Sequence, residues 1–132
     1  MNKRTIYILG NLNLEIDSLP LKLIPKFREA FPDISFEILD PTENVPEDEH
    51  LVIIDTIINS DEVRILKDIE KIQNSPTCSL HDFDLGIQLK LIKKLGKIKD
   101  VTIIGVPPLS MISEEEAFGG IKREIDNLSS FN

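Results

Sequence analysis

Residues 51–55 have the sequence LVIID, in which four aliphatic side chains come directly before a carboxylate. A continuous aliphatic run of this kind predicts a strand that is buried on both faces, as in a parallel sheet covered by helices. Asp55 is then placed at the end of that strand. A carboxylate next to such a buried segment is unfavourable unless something pairs with it, so Asp55 is either a turn residue or part of a site.

On either side of this run, predicted strands alternate with predicted helices. The strands are Thr5 to Leu9, Ile34 to Leu39, Leu51 to Ile54, Val63 to Leu66 and Val101 to Val106. The stretch from Asp61 to Ile72 also allows a helix, and the strand at Val63 to Leu66 is the preferred interpretation. The helices are Leu19 to Phe31, Asp84 to Leu95 (stopped by Gly96), and one that begins at Ser113 and ends near Leu128. Pro25 either kinks the first helix or marks a helix that begins near it. The acidic stretch from Asp40 to Glu49 is predicted to be a loop.

This alternation predicts one α/β domain over residues 1–132. The expected architecture is a three-layer sandwich, with a twisted, mostly parallel sheet and helices on both faces. In such sheets, ligands bind beyond the carboxyl ends of the strands, where the strand order reverses. Three stretches are predicted to meet at that edge: GNLNLEID (Gly10 to Asp17), Asp55, and CSLHDFD (Cys78 to Asp84).

Asp17, Asp55 and His81 are the candidate site residues in these stretches. Two carboxylates and one imidazole form a suitable ligand set for a divalent transition metal, and the imidazole suits nickel or zinc. Each residue also has a simpler interpretation. Asp17 could start a helix, Asp55 could lie in a turn, and His81 could lie in the first turn of a helix capped by Ser79.

Composition excludes several classes of function. The formal charge of −8 argues against a nucleic-acid surface, because phosphate binding needs clustered Lys and Arg. No segment approaches the roughly 20 apolar residues that span a bilayer. Cys78 is the only cysteine, which fits a reducing cytosol, and it is expected to be a packing residue. No dinucleotide fingerprint, Walker loop or nucleophile elbow indicates an organic cofactor. His50 is expected to be exposed.

Taken together, these stretches resemble the motifs of the hydrogenase maturation proteases. Gly10-Asn11, with an acid six positions after Asn11, resembles the family's opening motif, and the aliphatic strand that ends at Asp55 resembles its second motif. SLHDFDLG (Ser79 to Gly86) is similar to its histidine motif, and VTIIGVPP (Val101 to Pro108) to its last strand and turn. The resemblance covers nearly the whole chain.

The resemblance implies a phosphorylase/hydrolase-like fold and a cytoplasmic endopeptidase. Such an enzyme removes the C-terminal extension of a nickel–iron hydrogenase large-subunit precursor after nickel has been inserted. Nickel would come with that precursor, and the family's three nickel-contacting positions fall on Asp17, Asp55 and His81. The same three residues are therefore the expected catalytic and metal-binding residues. No nucleic-acid partner and no membrane insertion are expected.

The sequence also departs from the family pattern. Ile16 stands where a second acid is usual, Pro20 where a glycine is common, and the loop after the second strand begins Asp40-Pro41-Thr42-Glu43 without the usual glycines. The altered loop favours an alternative function, a non-catalytic factor that binds a metal or the precursor without cutting. A further alternative is an unrelated small-molecule enzyme on the same kind of sheet. The oligomeric state has no signature in the sequence.

Overall fold

A computed structural model of the protein describes residues 4–10, 12–39, 50–58, 60–67, 79–80, 96 and 98–128. Six strands are present in these ranges: β1 (Arg4–Ile8), β2 (Ile34–Ile38), β3 (His50–Ile58), β4 (Arg64–Leu66), β5 (Ser79–Leu80) and β6 (Asp100–Val106). The helices there are α1 (Leu19–Lys22), α2 (Ile24–Ala30) and α3 (Glu114–Asp126). A 3-10 turn, Glu15–Asp17, precedes α1.

The strands form one mixed, mostly parallel sheet with the order β2-β1-β3-β6-β4, and β5 pairs with β3. The neighbours from β2 to β6 are parallel, whereas β4 is antiparallel to β6 and β5 is antiparallel to β3. The chain passes from β1 to β2 on one side and later places β3 on the other side. The strand order therefore reverses between β1 and β3, and the predicted α/β sandwich with a mostly parallel sheet is confirmed.

Both faces of the sheet are buried. All three described helices pack on the first face, where the strand residues Ile8 and Ile54 contact Leu23 and Phe27 of the helical layer. The second face holds a separate cluster of buried side chains: Leu9, Leu39, Leu51, Ile53, Ile98, Val101 and Ile103. The predicted helix from Asp84 to Leu95 and the predicted loop from Asp40 to Glu49 lie outside the described residues.

The predicted strands are confirmed except for the end of the central one. The sequence predicts that this strand stops at Ile54, but β3 continues to Ile58. That prediction is wrong because Asp55 does not break the strand: it is paired with Gly105 of β6, and its Oδ1 accepts the amide hydrogen of Thr56 at 2.7 Å. The β-branched residues after Asp55 then extend the run.

Prolines and a serine define the helix starts as the physical rules require. Pro25 lies in the first turn of α2, so the alternative of a new helix beginning near it is correct and a kinked single helix is not. Ser113 caps α3, accepting the amide hydrogen of Glu116 at 3.1 Å, as the capping-box pattern predicts. Gly96 has a φ of 77°, the left-handed conformation that commonly ends a helix.

None of the described helices is long and apolar enough to cross a membrane.

Strand β2 has a single neighbour in the described part of the sheet and so forms its edge. The amide of Leu39 donates to the carbonyl of Ile8 in β1, so by alternation the carbonyl of Phe36 points away from β1. That carbonyl accepts a hydrogen bond from the guanidinium of Arg28 at 3.1 Å. One acceptor of the edge strand is therefore already occupied by a helix side chain.

Helix α3 approaches the segment before β4 closely at Gly120. A Cβ at this position would lie 2.8 Å from Cγ2 and 3.0 Å from Cβ of Val63. The valine cannot move away easily, because its side chain has one preferred rotamer in most settings. At the neighbouring Gly119, which is exposed, a Cβ would meet nothing within 4 Å.

We expect Gly120→Ala to lower the free energy of unfolding by about 1–2 kcal/mol, because overpacking outweighs the gain in helix propensity. The matched variant Gly119→Ala should raise it by about 0.5–1 kcal/mol, since only the propensity term acts there. Urea denaturation followed by circular dichroism measures both values. Equal changes in the two variants would contradict the close contact with Val63.

Candidate active site

The carboxyl ends of β1 and β3 form the crevice where ligands bind in sheets of this type, because the strand order reverses between them. Strand β1 ends at Ile8, which is paired with Ile54, and the amide of Leu9 still donates to the carbonyl of Ile54 at 2.9 Å. Gly10 follows and is not part of the strand. Asp55 is the next residue on β3, so the end of β1 and Asp55 are adjacent.

Gly10 brings the segment of Asp17 against the end of β1. A Cβ on Gly10 would lie 2.7 Å from the carbonyl oxygen of Asp17 and 3.1 Å from Cγ of Leu21. Only a glycine allows this approach of two backbone segments. The spacing of Gly10 and Asp17 in the sequence thus corresponds to a contact in the fold.

Asp17 is the last residue of the 3-10 turn and does not cap a helix. Its amide donates to the carbonyl of Leu14 at 2.9 Å, and the N-cap of α1 is Ser18, so the helix-start interpretation of Asp17 is wrong. The side chain is half-buried, and its Oδ1 is enclosed with no hydrogen-bond partner in the described ranges. A buried carboxylate oxygen in this condition is an available acceptor or ligand.

Asp55 lies inside β3 and is completely buried. It is paired with Gly105 of β6, and its Oδ1 accepts a hydrogen bond from the backbone amide of Thr56. The turn interpretation of Asp55 is therefore wrong. A carboxylate in a fully enclosed strand position is rare, because ionised groups are seldom buried without compensating interactions.

His81 lies outside the described residues, so its side chain cannot be placed relative to the carboxylates. The residues before it are described: Ser79–Leu80 form β5, in which Leu80 pairs with Ile57 of β3. Ser79 therefore belongs to a strand, and the interpretation of Ser79 as a helix cap is wrong. The pairing leads the chain to within two β3 residues of Asp55 just before it reaches position 81.

The two described candidate ligands belong to segments on different faces of the sheet. By alternation along β3, Asp55 is on the second face with Leu51 and Ile53, whereas Asp17 precedes α1, which packs on the first face. Among the residues that the structure describes, no three His, Cys, Asp or Glu side chains form a metal-binding group. His81 and Cys78 are not in that set.

Two residues that the sequence analysis did not identify adjoin Asp55. Thr56 is buried, and its Oγ1 has no hydrogen-bond partner within the described part of the chain. At Gly105 a Cβ would lie 2.5 Å from Cγ2 of Ile57, so glycine makes room for that side chain. The sequence contains features that point to both residues. Thr56 directly follows the carboxylate of an aliphatic strand, and Gly105 lies inside the strand VTIIGV.

His50 lies at the opposite edge of the sheet, where β3 and β6 begin. Its side chain is 45% exposed, as expected, and Nδ1 lies 2.6 Å from Oδ2 of Asp100. This pair lies in a groove of about 490 Å³ whose lining also includes Lys67 and Asn127. His50 is therefore separate from the candidate site at the carboxyl edge.

Two solved structures share this fold. An uncharacterized protein from Wolinella succinogenes is 18% identical, with a TM-score of 0.52 over 95% of this chain and 96% of that chain. The solution structure of an endopeptidase, HycI from Escherichia coli, is 21% identical, with a TM-score of 0.50 over 80% of this chain and 73% of that chain. At these identities the likeness establishes the fold alone. No protein-family description and no curated protein sequence matches the chain.

The contact between Gly10 and the Asp17 segment yields a direct test. We expect Gly10→Ala to lower the free energy of unfolding by about 1–3 kcal/mol, because the new Cβ must displace the carbonyl of Asp17. The measurement is urea denaturation, and amide chemical shifts of residues 12–18 report the displacement. Gly119→Ala is the control, since its Cβ meets nothing. Unchanged stability and shifts would contradict the close approach.

Proposed function

We propose that the protein is a processing endopeptidase that removes the C-terminal extension of a nickel–iron hydrogenase large-subunit precursor after nickel insertion. In this proposal Asp17, Asp55 and His81 recognise the nickel that the precursor carries. The proposed compartment is the cytosol, in keeping with the single thiol of Cys78. The fold shared with the endopeptidase HycI and the order of the sequence motifs support the assignment.

The single observation that carries the proposal is the pairing of β5 with β3. Leu80 is held opposite Ile57, so the residue before His81 is fixed on the strand that contains Asp55. Gly10 fixes the segment of Asp17 at the end of β1, next to the same strand. Three segments that are distant in the sequence are thereby brought to the carboxyl ends of β1 and β3.

The donor set fits a nickel ion held by a protein substrate. An imidazole nitrogen and carboxylate oxygens are ligands that nickel accepts, and the enclosed Oδ1 of Asp17 is an oxygen that needs a partner. Because Asp55 is on the second face and Asp17 precedes a helix on the first face, a shared ion would lie at the carboxyl edge, where β1 has ended. Asp55 is fully enclosed, so the precursor must displace a neighbouring segment to reach it.

Two roles for the ion are compatible with these residues. The precursor's nickel could polarise the scissile carbonyl or activate a water molecule for attack on it. Alternatively, the ion is only a recognition mark, and a carboxylate of Asp17 or Asp55 acts as the general base. In both cases the ligand side chains orient the scissile peptide at the sheet edge, and the attacking oxygen is that of water.

A processing assay tests the proposal. Purified protein is incubated with nickel-loaded precursor, and removal of the tail is followed by mass spectrometry. We expect Asp17→Asn, Asp55→Asn and His81→Ala each to slow tail removal by about 100-fold or more, because each loses a contact to the metal. Asp33→Asn changes the charge equally at an exposed position outside the crevice and should process the precursor normally.

Normal tail removal by both Asp17→Asn and His81→Ala would reject the assigned site. Circular dichroism of each variant separates loss of the site from loss of the fold. Nickel-free precursor is the second control, and the proposal requires that it is not cleaved.

A second candidate function is favoured by the enclosure of Asp55 and by the lack of glycine in the sequence Asp40-Pro41-Thr42-Glu43. In this alternative the protein binds the nickel-loaded precursor and does not cut it. The same assay separates the two functions. Nickel-dependent association without any cleaved product selects the binding factor, whereas release of the tail selects the endopeptidase.

A further inference from the structure

Large exposed apolar side chains occur at one edge of the sheet. The five in the described ranges are Leu12 (64% exposed), Leu14 (46%), Ile16 (45%), Ile38 (64%) and Met111 (53%). The first three belong to the connection that follows β1, Ile38 ends β2, and Met111 lies in the connection after β6. All five are therefore at the carboxyl edge, and we call this set the apolar rim.

The apolar rim extends along the same crevice as the candidate site. From β2 to β6 the sheet spans three strand spacings, or about 15 Å, which an extended peptide of about five residues can cross. The connections after β1 and β6 both lead to helices on the first face, so Leu12, Leu14 and Met111 lie toward that face. Exposed apolar residues scattered singly are ordinary, but five that share one edge of the sheet favour an interaction surface.

Among the described residues, the charge around the apolar rim is negative. Glu15 and Glu37 are exposed beside it, and Glu114 to Glu116 begin α3 just after Met111. The sequence contains no Lys or Arg from Leu9 to Leu21 or from Val106 to Ile121. Lys26 reaches this acidic group from α2, with 3.7 Å between its Nζ and Oε1 of Glu114. A partner that covers the apolar rim would thus meet carboxylates at its borders.

We propose that the apolar rim binds an extended segment of a partner protein in which aliphatic side chains are flanked by lysine or arginine. The aliphatic side chains would cover Leu12, Leu14 and Met111. The basic side chains would pair with Glu15 and the acidic start of α3. These contacts require neither a metal nor a reactive peptide bond.

The identity of the partner rests on the proposed function: if that function is correct, the bound segment belongs to the precursor. The apolar rim then adds a second contact with the precursor. The charge pattern distinguishes this occupant from a second copy of the chain. A second copy would bring the same carboxylates opposite one another, and like charges placed together oppose association. It also excludes an acidic segment for the same reason.

Fluorescence anisotropy with synthetic peptides tests the inference in the absence of nickel. The probe is a short, fluorescein-labelled peptide of alternating lysine and leucine residues. In one companion peptide glutamate replaces lysine, and in the other serine replaces leucine. We expect the probe to bind, and each companion to bind at least about tenfold more weakly, because one loses the charge pairing and the other the apolar contact.

Variants of the protein then locate the binding site. The double variant Leu12→Ser/Leu14→Ser should bind the probe about tenfold more weakly, since both side chains lose apolar contact. Glu15→Gln should weaken binding by about twofold, and the charge-matched Glu29→Gln, at an exposed position of α2, should not change it. The substituted residues are exposed, so the urea midpoints should stay close to that of the unchanged protein.

Equal affinity of the double variant, or equal affinity of the serine peptide, would show attraction to the net charge alone and would overturn the inference. A dimer that dissociates in the double variant, seen by sedimentation, would also overturn it in favour of a second copy. Because no cleavage is measured, a protein that fails the processing assay can still pass this test. Failure of the proposed function and failure of the apolar rim are thus separate results.

Discussion

The position of β3 between β1 and β6 is the constraint on which the rest of the structure depends. A strand with partners on both sides has its backbone groups paired, and both of its faces can then be buried in aliphatic side chains. This arrangement fixes the carboxyl edge where β1 ends and leaves Asp55 with no exposed surface. A buried carboxyl group is the least favourable element of such a strand taken alone, so Asp55 is its most informative residue.

The parts of the fold that local patterns specify were predictable from the sequence. Aliphatic runs gave β1, β2 and β6, and the serine–glutamate pattern gave the start of α3, because these signals act over a few residues. The end of β3 was not predictable, because Asp55 interrupts the aliphatic pattern and yet the strand continues through it, with the amide of Thr56 donating to its Oδ1. Local spacing also cannot reveal a contact such as Gly10 with Asp17, which depends on where two distant segments meet.

The predicted sheet topology indicated where the candidate site lies, but it did not indicate how the side chains there are arranged. The rule that ligands bind where strand order reverses led to the ends of β1 and β3, and the order in the sheet agrees with it. The face on which Asp55 lies depends on its exact position along β3. A shift of one residue in β3 would have reversed the direction of Asp55. The burial of Thr56 and the space made by Gly105 are details of the same kind.

The contact between Arg28 and the carbonyl of Phe36 has a consequence for the behaviour of the protein in a crowded cell. An edge strand with open carbonyls can recruit strands from other molecules and start cross-β aggregates. Here a cationic side chain covers one such acceptor on β2, the strand that also ends in the exposed Ile38. With this acceptor occupied, β2 offers one site fewer for strand pairing, although Ile38 at its end stays exposed.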